Sequence, residues 1–320
     1  MKTLLAFILA CCALGAVARA EGPALQRIEM ATFTSHDLES VERDYARWLD
    51  HKVRERGTVS AELAASWGAP RAAGKRYLLL SADPAPDVYI RVIEGDAPPP
   101  DLKPLTTWGW NGIELIVDDP DGLREQLRES PFVVIGEPAP LGAFPTIRAF
   151  QVVGPSGEVL YLTAETGDRS KSILPLPGGP VGRIFIMVVG GPDIDALLDF
   201  YAQSFTLVRN KARMLSVGVV KRAQNLADDE LTPLATARLA EPGNLIEFDG
   251  YSSRTRPRPQ AEGELPPGIV STTFSVKDLD ALQLDWITPP ARYPGLAYAG
   301  RRAATLRGPA GELIELIERK

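Results

Sequence analysis

Cysteine is almost missing from this chain. The 320 residues hold two, Cys11 and Cys12, both near the N-terminus. Histidine is as scarce, with only His36 and His51. The rest of the chain therefore has no thiol for a disulfide, a thiolate nucleophile or a cysteine-ligated metal. The serines lack any nearby histidine that could plausibly serve as a base. Gly-x-Ser-x-Gly, Walker and His-Glu-x-x-His motifs are absent. A large charge of either sign is missing too. The formal net charge of -6 gives no general attraction to nucleic acid or anionic membranes. Arg254, Arg256 and Arg258 do cluster, but prolines separate them, and the stretch reads as a solvated loop.

What is present is ordinary globular material: 45% hydrophobic and 24% charged residues, in a length suited to two domains. The N-terminus reads as an export signal over residues 1–20. Met1-Lys2 supplies the charge, Leu4 to Val17 the apolar run, and Ala18-Arg19-Ala20 the cleavage pattern. The run is short for a membrane span. Cleavage there removes both cysteines and suits a bacterial periplasm. Ile8-Leu9-Ala10-Cys11 also resembles a lipobox, which would make Cys11 a lipid anchor instead.

Beyond this segment the chain repeats itself. Asp37-Leu38-Glu39-Ser40-Val41-Glu42-Arg43-Asp44-Tyr45 matches Asp193-Ile194-Asp195-Ala196-Leu197-Leu198-Asp199-Phe200-Tyr201. Val117 to Leu123 matches Val276 to Leu282, and Gly154-Pro155-Ser156-Gly157-Glu158 matches Gly308-Pro309-Ala310-Gly311-Glu312. All three pairs keep their order at an offset of about 155 residues. Each first element reads as an apolar strand, an aspartate N-cap and an amphipathic helix. The Gly-Pro-x-Gly-Glu element reads as a tight turn between strands, not a phosphate loop, because it feeds a strand. The Pro/Gly-rich stretch 166–180 is the linker between domain A, residues 25–165, and domain B, residues 181–320. Each domain is weakly doubled again, with shorter second helices, especially in domain B where Pro289 and Pro290 intervene.

The strand-Asp-helix-Tyr pattern and the terminal Gly308 to Leu316 hairpin resemble the vicinal oxygen chelate superfamily of glyoxalases, extradiol dioxygenases and bleomycin-resistance proteins. The resemblance covers nearly all of the chain after the export signal. It implies an α+β fold of two tandem domains, each of paired βαβββ modules curved around a cleft. In metal-using members, the first and last strands of each half supply four ligands. The resemblance puts those positions near Ile186, Glu247, Ser271 and Glu315 in domain B, and near Met30, Ile90, Gly112 and Tyr161 in domain A. Two carboxylates without imidazole suit a transition metal poorly. The expectation is no cofactor, with at most a weak divalent metal in domain B.

Glu247 and Glu315 each interrupt an apolar strand, where an unpaired carboxylate is costly. Under the implied fold they converge in one cleft as an acid and a base; solvent exposure or a purely structural role is the competing reading. Trp110, Glu114 and Tyr161 line the other cleft if the strands alternate regularly, with Arg148 as a carboxylate-binding candidate. Packed core aromatics would explain Trp110 and Tyr161 equally, and an exposed strand face or a pair with Glu114 would explain Arg148. The functional expectation is an exported protein acting on a small, partly apolar organic molecule by metal-independent isomerase or lyase chemistry. A non-catalytic binding protein and a divalent-metal glyoxalase-type enzyme using Glu247 and Glu315 are the alternatives. The sequence leaves the oligomeric state open.

Overall fold

The computed structural model describes residues 22–142 and 144–319. The expected export segment and Cys11 lie outside the described residues. Four modules follow one another. The first has β1 (Ile28–Ser35), α1 (Leu38–Trp48), β2 (His51–Thr58), α2 (Ala61–Ser66), β3 (Arg76–Ala82) and β4 (Tyr89–Glu94). The second has β5 (Gly109–Val117), α3 (Pro120–Gln126), β6 (Val133–Leu141), β7 (Phe144–Val153) and β8 (Val159–Glu165). In the third are β9 (Val181–Gly191), α4 (Ile194–Phe205), β10 (Arg213–Leu215), α5 (Gly218–Gln224), β11 (Thr232–Arg238) and β12 (Leu245–Gly250). The fourth holds β13 (Ile269–Val276), β14 (Ala291–Arg292), β15 (Arg302–Arg307) and β16 (Leu313–Glu318).

The strand-to-helix junctions follow from aspartate chemistry. Asp37, Asp119 and Asp193 each accept a backbone N–H from the first turn of α1, α3 and α4, satisfying a donor the helix cannot. The fourth module departs from this plan. Asp278 accepts from the Asp280 N–H at 2.9 Å, but only a turn forms. The Ile287 N–H then bonds to the Thr305 carbonyl at 2.9 Å and draws the chain onto the sheet. Leu279 stays buried without a helix to carry it.

The strands form two eight-stranded sheets. The first has the order β14-β15-β16-β13-β1-β4-β3-β2, the second β10-β11-β12-β9-β5-β8-β7-β6. The α+β architecture of paired modules is thus as the resemblance implies, but within each sheet the paired modules are not the two halves of one tandem repeat. Module one joins module four through antiparallel β1 and β13, and module two joins module three through antiparallel β5 and β9. Modules one and two, and modules three and four, meet across the core instead. Tyr45 donates to Glu158 at 2.8 Å, and Tyr201 donates to Glu312 at 3.2 Å. These are the glutamates of the two Gly-Pro-x-Gly-Glu turns. Each also accepts a turn N–H, from Ser156 or Ala310. A Cβ on Gly154 would fall 1.9 Å from Glu158 Oε1, and one on Gly308 2.0 Å from Glu312 Oε1, so glycine is required for the glutamate to fold back.

One large apolar core joins the inner faces of both sheets with α1, α3 and α4. The opposite face of each sheet has its own smaller cluster. Residues around α2, including Trp67, cover the first sheet, and Val219 and Val220 of α5 cover the second. Of the three loop arginines read as solvated, Arg254 and Arg256 do form exposed ion pairs, with Glu230 and Asp101. Arg258 turns inward. Its guanidinium donates to the Trp110 carbonyl at 2.6 Å and the Ile269 carbonyl at 2.5 Å, tying β5 of one sheet to β13 of the other.

Candidate functional site

The outer faces of the sheets hold the candidate sites. At the centre of the first, four residues sit in two register pairs, Thr32 with Arg91 and Thr273 with Glu315. At the centre of the second, the matching pairs are Val188 with Glu247 and Glu114 with Tyr161. These are the first and last strands of each module. Glu247 and Glu315 therefore lie in different sheets, and the expected convergence of the two does not occur. Glu247 instead shares a face with Glu114 and Tyr161.

In the first sheet the charged centre is closed upon itself, while the buried hydroxyls of Ser275 and of Thr305, opposite Glu315, have no partner. Arg91 and Glu315 are 2% and 1% exposed. Glu315 Oε1 accepts from Trp67 Nε1 at 2.9 Å and Tyr298 Oη at 2.8 Å; Oε2 accepts from Thr273 Oγ1 at 2.6 Å and Arg91 Nη2 at 3.4 Å. Arg91 donates further to Tyr298 Oη at 2.6 Å and Thr32 Oγ1 at 3.1 Å, with its guanidinium 4.6 Å from the Trp67 ring centre. Every carboxylate oxygen and most guanidinium donors are thereby used. Ser271 lies on the same face, buried and with its hydroxyl unpartnered. The residue pointing into this face from β4 is Arg91, not the neighbouring Ile90, which packs in the main core. A one-residue slip in the expected register exchanges the two faces.

In the second sheet it is a carboxylate and two phenols that lack partners. Glu114 accepts one bond, from Thr163 Oγ1 at 2.6 Å. Asp249, two residues beyond Glu247 and on its face, is fully buried, and neither carboxylate oxygen has a partner. The hydroxyls of Tyr161 and Tyr251, 6% and 4% exposed, are unpartnered too, as is that of Thr232. A buried polar group without a partner costs about 1–3 kcal/mol, so several in one cleft mark a place built to meet something else. Both rings are seated on glycines. A Cβ at Gly112 would meet the Tyr161 ring at 2.7 Å, and one at Gly190 the Tyr251 ring at 2.4 Å. Glycine within a strand here lets an aromatic ring lie close along the sheet.

The electrostatics follow from crowding. Burial, then Asp249, then Glu114 push the Glu247 carboxyl well above the usual range. Burial raises Glu114, opposed by the Thr163 hydrogen bond, and burial raises Asp249. The Tyr161 hydroxyl is pushed up by burial and then, in order, by Asp249, Tyr251, Glu247 and Glu114. The four neighbours named all act on the Tyr161 hydroxyl. They are acids able to hold protons near neutrality. Gln224 of α5 closes the rim, donating to the Leu105 carbonyl at 2.9 Å and accepting from the Ser252 N–H at 3.1 Å.

Four expected site residues lie elsewhere, Ser271 among them, in the first sheet. The bulge between Trp110 and Gly112 breaks the alternation of β5, so Trp110 faces the core. There it packs edge-on against Tyr201, and its indole donates to the Leu313 carbonyl at 2.8 Å. Arg148 is on an outer strand in a bidentate ion pair with Asp121, at 2.6 and 2.7 Å. Glu315 is held by Arg91, as described. Asp249 and Tyr251 were not anticipated; alternation from Glu247 through Leu245-Ile246-Glu247-Phe248-Asp249-Gly250-Tyr251 would have reached both.

Two curved sheets of paired βαβββ modules with ligand positions on the first and last strands define the vicinal oxygen chelate fold, and this chain has it. Glyoxalase I of Zea mays is similar over 91% of this chain and 92% of its own, at 14% identity and a TM-score of 0.59. A glutamate-to-glutamine mutant of the same maize enzyme gives 0.60. A putative dioxygenase from Bacillus subtilis is similar over 92% of this chain and 85% of its own, at 13% identity and a TM-score of 0.58. At such identities the likeness is one of fold. No family model matches the sequence, and no curated protein matches it either.

The metal of this fold does not suit the side chains present. In the first sheet a guanidinium stands at one of the four positions, and the lone carboxylate has no oxygen to spare. In the second the four positions offer two carboxyls, a phenol and a valine. Among the described residues, no three His, Cys, Asp or Glu side chains stand close enough together to hold a metal ion. Nor is any described helix long and apolar enough to cross a membrane.

Proposed function

We propose that this chain is an exported glyoxalase-like protein that takes a small, partly apolar organic molecule into the outer face of its second sheet and acts on it by side-chain acid–base chemistry, without a metal. The observation that carries this reading is the group of buried, unpartnered polar atoms on Asp249, Tyr161 and Tyr251, set among the apolar side chains of Ile186, Val188, Val219 and Leu245. Asp249 is the candidate base, because both of its oxygens lack a partner. Protonated Glu247, partly exposed, and neutral Tyr161 are the candidate donors to a developing oxyanion. Glu114 is positioned by Thr163 and raises the proton affinity of Glu247. Such an arrangement suits proton abstraction beside a carbonyl, as in an isomerase or lyase. Sequestration without turnover would use the same side chains, and the Gln224 clamp over the rim favours it.

A thermal-shift screen of small carbonyl compounds, with and without chelator, tests the reading. Hits should persist in chelator and be lost in Glu247→Gln and Asp249→Asn. Hits that vanish with chelator, or that survive both substitutions, would overturn it. Turnover of a hit separates enzyme from binder.

A further inference from the structure

The two sheets carry the same frame with opposite internal charge. In the first, β4 places the Arg91 cation beside the β16 carboxylate Glu315. In the second, the strand matching β4 is β12, and it places Glu247 where the first sheet has Arg91. No arginine or lysine hydrogen-bonds or ion-pairs with Glu114, Glu247 or Asp249 among the described residues. Arg258 bears on Tyr251 but spends its own donors on the Thr107 hydroxyl, two backbone carbonyls and the Asn111 amide oxygen. From α5, the buried residues are Val219, Val220 and Gln224, all uncharged.

We propose that the second sheet binds a small organic cation, a primary or substituted ammonium with a short apolar tail, which supplies from outside the positive charge that Arg91 supplies within the first sheet. The proposal rests on the reading of this face as the functional cleft and adds the charge class of its ligand. Three observations point to an ammonium rather than a metal ion. No three of the described His, Cys, Asp or Glu side chains group closely enough to hold one metal ion. The seated rings of Tyr161 and Tyr251 offer π faces and phenol oxygens, which suit an organic cation. The two bare oxygens of Asp249 and the free hydroxyls of Tyr161 and Tyr251 match the several N–H donors of an ammonium. The surrounding leucine, isoleucine and valine side chains suit the tail. Binding a cation among carboxyls that hold protons must release protons, so affinity should tighten as the pH rises through neutrality.

The test is calorimetric titration of the folded protein with n-butylammonium chloride, n-butanol and sodium butyrate, with magnesium and zinc chlorides alongside. Butylammonium should bind about tenfold or more tightly than either butanol or butyrate, the difference expected of a charge-assisted bond. Its observed enthalpy should vary with buffer ionisation enthalpy, reporting proton release. Asp249→Asn and Glu247→Gln, checked for wild-type circular dichroism, should each weaken it about tenfold, whereas Asp121→Asn on the outer surface should not. Equal binding of butanol, preferential binding of butyrate, binding of the metals alone, or no binding of butylammonium overturns the cation assignment. If butanol binds and the two cleft substitutions abolish it, the cleft reading stands and only the charge class fails. If no probe responds to those substitutions, both fail.

Discussion

Arg91→Met should be among the most destabilising single changes in this protein. The methionine keeps most of the arginine stem, so the packing against Trp67 is largely retained. What goes is the charge. Glu315 would stay 1% exposed, with its Trp67, Tyr298 and Thr273 donors but no cation, and Thr32 and Tyr298 would each lose an Arg91 donor. Breaking a buried ion pair from one side costs about 3–5 kcal/mol. The remaining neutral donors to Glu315 keep the expected value near the lower end. The Arg91–Glu315 contact itself is long, at 3.4 Å, so much of the loss should come from the stranded carboxylate. Glu315→Gln strands the arginine in turn. The double variant removes both charges, and its cost should fall short of the sum of the single costs by about 1.5–3 kcal/mol. Urea unfolding followed by far-ultraviolet circular dichroism measures all four corners of the cycle. Single-variant costs below about 1 kcal/mol, or strict additivity, would refute the view that these groups form one closed unit.

The module latches should make stability pH-dependent in an unusual direction. Burial pushes the Glu158 carboxyl up to about 7, against the Tyr45 hydrogen bond. Its contribution is therefore full below the ordinary glutamate value and lost as the pH rises through about 7, by up to about 3 kcal/mol. Denaturation of wild type and Glu158→Gln at about pH 5 and pH 8 should show the wild-type advantage shrinking with pH; a constant or growing advantage would contradict it. Gly190→Ala should push the Tyr251 ring aside by steric conflict and abolish ligand binding, while costing about 1–3 kcal/mol of stability; an alanine variant that binds normally would remove Tyr251 from the site. Arg258→Gln should loosen the two sheets from each other, costing about 2–4 kcal/mol for two lost charged bonds to carbonyls, as read by denaturant midpoint. An unchanged midpoint would show that Arg258 is not a strut.

Local features were legible in the sequence because local physics decides them. The aspartate caps, the amphipathic helices and the Gly-Pro-x-Gly turns depend on neighbours a few residues away. The repeat of those signals was enough to identify the fold. What escaped was set by distance or by single-residue shifts. Modules one and two look as ready to pair as modules one and four, since β1, β5, β9 and β13 are all apolar strands. The latches that turn neighbours back to back, Tyr45 to Glu158 and Tyr201 to Glu312, are buried hydrogen bonds that no spacing rule announces. Likewise, the bulge at Asn111 turns Trp110 into the core, and one position separates the core-facing Ile90 from Arg91 on the outer face. Periodicity finds a strand more readily than it fixes the phase of its faces.

The divergence of the repeat is then better described as a charge inversion than as a loss of ligands. A metal-using cleft of this fold holds carboxylates and imidazoles around a cation. In the first sheet the cation is built into the chain as Arg91, and the cleft is full: Glu315 has four donors, and no outside ligand could displace them without stranding a charge. In the second sheet the anionic side survives as Glu114, Glu247 and Asp249, with the aromatic seats Gly112 and Gly190 making room for Tyr161 and Tyr251, and nothing among the described residues completes it. Duplication makes such a division affordable. One copy can become a closed structural centre that tolerates no ligand, because the other still presents an unsatisfied one. The unpartnered oxygens of Asp249 and the saturated oxygens of Glu315 are thus two outcomes of the same geometry, and it is the unsatisfied set that chemistry can use.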